Sequence, residues 1–111
     1  MYKVMQLLDA NHIKDLLKQK GLEKVYLIEK EYNCLLFLGE VRGSHVIIGI
    51  YQGSRSIYAK IVNAQHVLEP YWKCDYLDYV PHGLYTFSNN IEELVDKIIM
   101  KIDRVLRVQN H

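Results

Sequence analysis

The residues of this chain that could carry out chemistry lie mostly between positions 66 and 82. A metal site could be drawn from His66, Cys74 and His82, with Asp75 or Asp78 as a fourth ligand. Structural zinc sites usually bring their ligands in close pairs such as C-x2-C, whereas these neighbours are eight residues apart. The spacing therefore favours ordinary surface or capping histidines, and we expect no metal.

A nucleophilic site is the other chemistry that these residues suggest. Cys74 could attack with His82 as its base and Asp78 to orient that base, but such a triad is defined by geometry and not by spacing. The chain contains no G-x-S-x-G, Walker-type glycine loop, G-x-G-x-x-G or H-E-x-x-H motif. The sequence therefore predicts a protein that is not an enzyme and holds no cofactor.

The composition describes one domain with little net charge. A length of 111 residues suits a single domain over 1–111, and half of the residues are hydrophobic. The 14 basic and 13 acidic residues nearly balance, which removes the broad basic surface that nucleic-acid or membrane binding usually requires. We therefore expect no membrane association, and nucleic acid is a weak candidate.

The two cysteines and the first residues bear on the cellular compartment. Cys34 and Cys74 are far apart and lack the spacing of a disulfide framework, so reduced thiols are expected. Residues 1–8 carry one lysine and no long apolar run, and no run of 18 apolar residues occurs anywhere. The sequence therefore predicts a cytoplasmic protein without a membrane-spanning segment.

The elements that must position these residues are organised around three consecutive strands joined by two Gly-Ser pairs. Gly43-Ser44 and Gly53-Ser54 each suit a two-residue type II′ turn, whose first residue has a positive φ. In the first hairpin this choice pairs Val41 with Val46. We predict a four-stranded antiparallel meander over residues 24–30, 34–41, 45–51 and 56–63, with a short fifth strand over 83–87.

The two faces of this sheet differ in polarity. The predicted register pairs Ile50 with Ile57 and puts Gly49 opposite Tyr58. Because the second face is less polar than a solvated sheet should be, we expect something to cover part of it. The apolar face consists of Leu35, Phe37, Val41, Val46, Ile48, Ile50, Ile57, Ala59 and Ile61. The second face carries Leu36, Leu38, Ile47, Tyr51 and Tyr58 beside Glu40 and Lys60.

An N-terminal helix is predicted before the sheet and ends at Lys20, because Gly21 is a stop signal. Asp9 or Asn11 could be the N-cap of a helix over 12–20. Residues 2–8 would then form a short strand or an earlier turn of helix.

A long C-terminal helix is predicted after the sheet. Asn90, followed three residues later by Glu93, resembles a capping box. The apolar stripe of this helix is wide enough to pack on the sheet, with Met100 pointing away from it. The sequence thus predicts an α+β domain with both helices on one face.

The connection over 71–87 is unusual, since it holds six of the twelve aromatic residues of the chain. One interpretation is a lid that crosses the second face of the sheet with its rings. The other is a recognition surface, because tyrosine and tryptophan dominate binding hot spots and long loops are often functional. The two interpretations are compatible.

For function, the sequence favours a small protein-interaction module of the inhibitor, immunity or adaptor type that binds a protein partner through the aromatic segment. The residues expected to bind a partner or ligand are Tyr71, Trp72, Lys73, Tyr76, Tyr79, His82, Tyr58 and Arg55.

Three alternatives stay open beside this prediction. Single-stranded nucleic acid could stack on Tyr51 and Tyr58. A homodimer could form through the second sheet face and Met100. A small-molecule or nucleotide-like ligand could lie between the aromatic segment and the sheet. Its charge would be met by Arg42, Arg55, Lys73 or His82.

Overall fold

Five consecutive stretches rich in aliphatic and aromatic residues form one antiparallel sheet in the computed structural model, which describes residues 8–108. The predicted α+β fold, the meander and the short fifth strand are confirmed. The strand or helical turn expected over residues 2–8 lies almost wholly outside the described residues. The strands follow each other in space in chain order: β1 (Lys24–Glu31), β2 (Cys34–Val41), β3 (Ser44–Gln52), β4 (Ile57–Asn63) and β5 (Leu84–Ser88).

Capping residues mark both ends of the first helix. In α1 (Ala10–Lys20) the Asp9 carboxylate accepts a hydrogen bond from His12 N at 3.2 Å, so Asp9 is the N-cap and the helix starts two residues before position 12. Gly21 ends α1 with a φ of 152°. A short α2 (Cys74–Leu77) and the long α3 (Ile91–Val108) follow β4 and β5. No helix within residues 8–108 is long and apolar enough to cross a membrane.

Only half of the predicted capping box is present at α3. Asn90 Oδ1 accepts a hydrogen bond from Glu93 N at 2.8 Å, as expected for an N-cap. The Glu93 carboxylate instead accepts from the Ser88 hydroxyl, and Asn90 N donates to that same hydroxyl oxygen. Ser88 therefore joins the end of β5 to the start of α3.

The first hairpin turn is centred one residue earlier than predicted. Arg42 and Gly43 both have positive φ, 50° and 80°, which is the pattern of a type I′ turn rather than the type II′ turn expected at Gly43-Ser44. Val41 consequently pairs with Ser44 and not with Val46. The register differs from the predicted one by two residues.

The second hairpin also differs by two residues. Ile50 pairs with Ala59 and not with Ile57, because Gln52 and Ile57 close a four-residue loop. Gly49 lies opposite Lys60, so the pairing with Tyr58 was wrong. A shift of two residues leaves every side chain on its own face.

The helix face of the sheet is therefore the apolar face that the sequence predicts. All nine predicted inward residues belong to one buried cluster, in which α1 and α3 pack on the sheet. Met100 is 75% exposed and points away from this cluster, as predicted. The helices contribute Ile13, Leu16, Leu17, Leu94, Val95, Ile98, Ile102 and Val105.

Candidate functional site

Residues 64–80, called the cover here, lie across the far face of the sheet, the face opposite the helices. Two short 3-10 turns, Ala64–His66 and Glu69–Tyr71, and α2 give this segment its irregular course. The lid interpretation of residues 71–87 is confirmed in part: the inner side chains of the cover complete a second buried core, but Tyr71, Tyr76 and Tyr79 are exposed and residues 84–88 form β5 instead. That core consists of Cys34, Leu36, Ile47, Tyr51, Val62, Val67, Cys74 and Leu77, with Trp72 and Val80 packed against it.

A disulfide bond between Cys34 and Cys74 fixes the cover to β2. The expectation of two reduced thiols was therefore wrong. The two cysteines are 40 residues apart in the chain, but the cover brings Cys74 onto the strand face that carries Cys34. The distance between the cysteines along the chain did not predict whether they pair, because a covering segment can contact a strand that is far from it in sequence.

Hydrogen bonds attach the cover at further points. Cys74 N donates to the Glu29 carboxylate at 2.6 Å, and Cys74 O accepts from the Tyr51 hydroxyl at 3.1 Å. At the far end of the cover, Lys60 Nζ donates to Val80 O. An irregular segment has no repeating apolar stripe of its own, so these contacts, the disulfide and the few buried side chains of the second core together determine its position.

Trp72 faces inward, unlike the tyrosines beside it. Its indole Nε1 donates to Val67 O at 2.8 Å, and its ring packs against the second core. A large apolar ring with one donor suits this half-buried place. The sequence grouped Trp72 with the partner-binding residues, whereas the structure gives it a packing role within the cover.

Burial and the Asp78 carboxylate set the ionisation of the polar groups at the β4 and β5 side of the far face. Burial lowers the pKa of Lys60, and the charge of Asp78 acts against that shift. Burial, a hydrogen bond to Asp78 and its charge raise the pKa of Tyr85 to about 12. Burial, followed by the charge of Asp78, raises the pKa of Tyr51 and of Tyr58. All three tyrosines are thus neutral at pH 7.

The outer surface of the cover carries three exposed tyrosines, which we call the outward tyrosines: Tyr71, Tyr76 and Tyr79. The rings of Tyr71 and Tyr76 meet edge to face with centroids 4.9 Å apart. The exposed fractions are 45% for Tyr71, 47% for Tyr76 and 83% for Tyr79. Leu68, at the start of the same turn, is 72% exposed. The outer surface of the cover therefore exposes large apolar groups beside the exposed charged residues Lys73, Asp75 and Asp78.

The remaining predicted binding residues are dispersed. Lys73 is exposed and directly precedes α2. The His82 ring lies 4.5 Å from the His66 ring, centroid to centroid. Tyr58 stacks on Tyr51 on the far face at 4.9 Å. Arg55 lines a cleft of about 400 Å³ beside the starts of α1 and α3, so it is not part of the surface formed by the cover.

The chemistries considered for residues 66 to 82 do not assemble. The Cys74 sulfur is bonded to Cys34, so it is neither a free thiolate nor a metal ligand. Within residues 8–108, no group of three or more His, Cys, Asp and Glu side chains is arranged to hold a metal ion.

The space expected to hold a ligand between cover and sheet is filled by side chains. Leu36, Ile47 and Leu77 are all fully buried there. Arg42, expected to supply charge to that ligand, pairs with Asp103 on α3 at 2.7 Å. The same packing covers the middle of the far face with this chain's own residues, whereas the Tyr85 and Phe87 rings at its β5 end stay 41% and 56% exposed.

Sequence reasoning missed Glu29 and Lys60, which hold the cover in place. A lysine between apolar strand residues was the available signal for Lys60, because a cation at such a position needs an acceptor. Glu29 gave no signal, since its carboxylate accepts a hydrogen bond from a backbone group 45 residues away.

Comparison of the chain with models of protein families, with curated proteins and with solved structures finds no significant match.

Proposed function

We propose that this protein is a non-enzymatic interaction module that binds a protein partner through the outward tyrosines. The observation that supports the proposal is the exposure of Tyr71, Tyr76 and Tyr79 on a segment whose inner side is fully packed. Tyrosine gives a large contact area and loses few rotamers on binding, which is why it is enriched in binding hot spots.

The attachment of the cover favours recognition over mere coverage. A loop that must order itself on binding loses part of its affinity to that ordering. Here the disulfide at Cys74 and the hydrogen bonds of Trp72 and Val80 hold the cover before any partner arrives. The outward tyrosines are therefore a preorganised surface, as expected of an inhibitor, immunity or adaptor protein.

The proposal also concerns the cellular compartment in which the protein meets its partner. The prediction of a cytoplasmic location depended partly on reduced cysteines, and the Cys34–Cys74 bond removes that support. Disulfides persist mainly in oxidising compartments. A partner in an oxidising compartment therefore agrees better with the bonded cysteines than a cytoplasmic partner does. The cytoplasmic location stays a prediction.

The test is affinity capture with the full chain as bait in extracts of cells that produce it. The variant Tyr71→Ser/Tyr76→Ser removes the edge-to-face pair, and we expect it to bind the captured partner at least about tenfold more weakly, because hot-spot truncations typically exceed that loss. Tyr32→Ser is the matched control, since Tyr32 is a 76% exposed tyrosine in the β1–β2 turn.

The melting temperature separates binding from folding in this experiment. Both variants change exposed side chains, so each should melt within a few degrees of the native chain. Unchanged partner affinity in the double variant would show that the outward tyrosines are not the binding surface. Equal losses in the double variant and in Tyr32→Ser would contradict a specific site.

A further inference from the structure

The two edge strands of the sheet are protected to different degrees. β1 has a register shift between Leu27 and Glu29, and bulges and charged residues are the usual means of preventing unwanted strand pairing. β5 pairs with β4 without a register shift and contains no charged residue. The charged residues of β1 are Lys24, Glu29, Lys30 and Glu31.

The backbone groups of β5 that face the open edge can be deduced from hydrogen bonds elsewhere in the sheet. Gln52 N donates to Asn33 O on the β2 side, so the even-numbered residues of β3 face β2 and the odd-numbered residues face β4. The β3–β4 and β4–β5 pairings have no register shift, so the same alternation continues through β4 to β5, where the even-numbered residues face β4. Tyr85 and Phe87 therefore direct their N–H and C=O groups away from β4. The bond from Lys97 Nζ to Phe87 O at 2.8 Å agrees with this direction.

A groove of about 530 Å³ runs between this open edge and α3. Its walls are partly apolar, since Phe87 is 56% and Met100 75% exposed. No strand within residues 8–108 pairs with this edge of β5. The groove is lined by Tyr85, Thr86 and Phe87 from β5 and by Lys97, Met100, Lys101 and Arg104 from α3.

The helical wall of this groove is basic and largely uncompensated. Lys97 has Glu93 at 3.9 Å, but Lys101 and Arg104 form no ion pair with any residue in 8–108. On the other flank of α3 the acidic residues are matched, because Asp96 pairs with Lys20 and Asp103 pairs with Arg42. The positive charge on the groove side is therefore open to an anionic partner.

We infer that β5 is a second binding site, separate from the outward tyrosines, which takes an extended acidic segment of a partner protein as a sixth strand. The backbone of that segment bonds to the open groups of Tyr85 and Phe87, as in other cases of strand addition. On binding, Lys97 leaves Phe87 O and pairs with an acidic side chain of the segment.

The geometry also sets the pattern of the incoming segment. The Tyr85 and Phe87 rings lie on the far face, beside Tyr58, whereas the basic residues lie on the helix face. Alternate side chains of a strand point to opposite faces. Lys97 and Lys101 are about 6 Å apart along the helix axis, close to the roughly 6.6 Å between alternate strand residues. The segment therefore alternates acidic residues with apolar ones.

A second copy of the chain fits this edge less well. Pairing of two β5 strands about a twofold axis would place two basic rows, each with Lys97, Lys101 and Arg104, beside one another. Single-stranded nucleic acid also fits less well, because the rings and the cations lie on opposite faces of the sheet. The Asp78 carboxylate, bonded to the Tyr85 hydroxyl at 3.0 Å, would in addition repel phosphate.

The test uses the full chain and a blocked heptapeptide of alternating glutamate and valine. Two control peptides have lysine in place of glutamate, or the same residues with the glutamates and valines in separate blocks. We expect only the alternating acidic peptide to bind and to slow amide hydrogen exchange at Tyr85 and Phe87 at least tenfold. Protection at these two amides distinguishes strand addition from charge attraction alone.

Charge reversal locates the site. Lys101→Glu/Arg104→Glu should weaken peptide binding at least tenfold, whereas Lys14→Glu/Lys18→Glu on α1 makes the same change in net charge and should leave binding within about twofold. Tyr71→Ser/Tyr76→Ser should bind the peptide normally, so failure of the proposed partner surface is seen separately. All of these positions are at least partly exposed, and an unchanged melting temperature verifies folding.

Several results would overturn the inference. The first is amide hydrogen exchange at Tyr85 and Phe87 that stays unchanged with saturating alternating peptide. The second is binding of the block peptide or the lysine peptide as tight as that of the alternating peptide. A mass of two chains with both amides already protected would assign the edge to a dimer. Oligothymidine binding that is lost in Lys101→Glu/Arg104→Glu and falls steeply with salt would assign it to nucleic acid.

Discussion

The middle of the sheet is buried on both faces, but by different means. Ile47 and Ile48 are neighbours on β3, both fully buried, yet Ile48 lies under the two helices and Ile47 under the cover. The helices cover their face with a repeating apolar stripe. The cover has no such repeat, and it combines a few buried apolar side chains, such as Val67 and Leu77, with one disulfide and a few hydrogen bonds. A helix is held along its whole length, whereas the cover has a few attachments, each of which one substitution can remove.

Truncation of these two isoleucines tests the comparison directly. Ile48→Ala should lower the free energy of unfolding by about 4 kcal/mol, because the packed helices cannot move into the cavity. Ile47→Ala should lower it by about 1 kcal/mol less, since the cover can settle partly into the space. Denaturant unfolding of the two variants under the same conditions measures the difference.

Ile48→Val and Ile47→Val are the controls for this pair, each expected to lose about 1 kcal/mol. If Ile47→Ala is as destabilising as Ile48→Ala, the cover is as rigid as the helices and the contrast between the faces fails.

Removal of the disulfide should have the next largest effect and should act on one face only. Cys34→Ser/Cys74→Ser opens a loop of 40 residues in sequence separation, and loss of a disulfide typically lowers the free energy of unfolding by about 2–4 kcal/mol. Amide exchange should quicken in the cover around Cys74 and change little at Ile48. Denaturant unfolding and exchange measured together test both statements.

A reducing agent provides the control for the cysteine variant. Reductant should bring the native chain to the stability of Cys34→Ser/Cys74→Ser and should leave that variant unchanged. Equal loss of exchange protection on both faces would mean that the cover is not a separate unit, and the sheet then unfolds as a whole.

The sequence was sufficient to predict the faces because side chains alternate with a period of two. The same period hides a register error of two residues, so the misplaced turns left every inward residue inward. The first turn was misplaced because a positive φ was assigned to Gly43 alone, whereas Arg42 adopts one as well. A non-glycine residue in that region is uncommon, and only the closing pair of Val41 with Ser44 reveals it.

The cover was predictable in kind but not in its attachments. Rings with polar tips indicated a lid, and the position of Trp72 agrees with that interpretation. The bonds of Cys74 to Cys34 and Glu29 join positions about 40 or more residues apart, which no local pattern encodes. The separation of Arg55 from the cover was unpredictable for a related reason: a loop between strands can lie at either end of the sheet, and its composition does not say which.

Alkaline pH should loosen the far face before the helix face, which is the smallest of the expected effects. The hydrophobic cluster under the helices contains no titratable side chain from residues 8–108, whereas the far face carries Tyr85, whose pKa is raised from 10.0 to about 12. A raised tyrosine pKa contributes stability that is present below pH 10 and lost as the pH rises through 12. Tyr85→Phe should therefore lose less stability than the native chain between pH 10 and pH 12.

The difference between the two proteins isolates Tyr85 from its neighbours. The lowered pKa of Lys60 has the opposite sign, because loss of its proton relieves the burial of charge as the pH rises towards 10.5, and both proteins share this gain. Tyr32→Phe is the control and should follow the native chain, since Tyr32 lies in the exposed β1–β2 turn. Denaturation midpoints at pH 9 and pH 11.5 provide the measurement. If native and Tyr85→Phe midpoints fall in parallel, the bond between Tyr85 and Asp78 does not stabilise the fold, and alkaline loosening begins elsewhere.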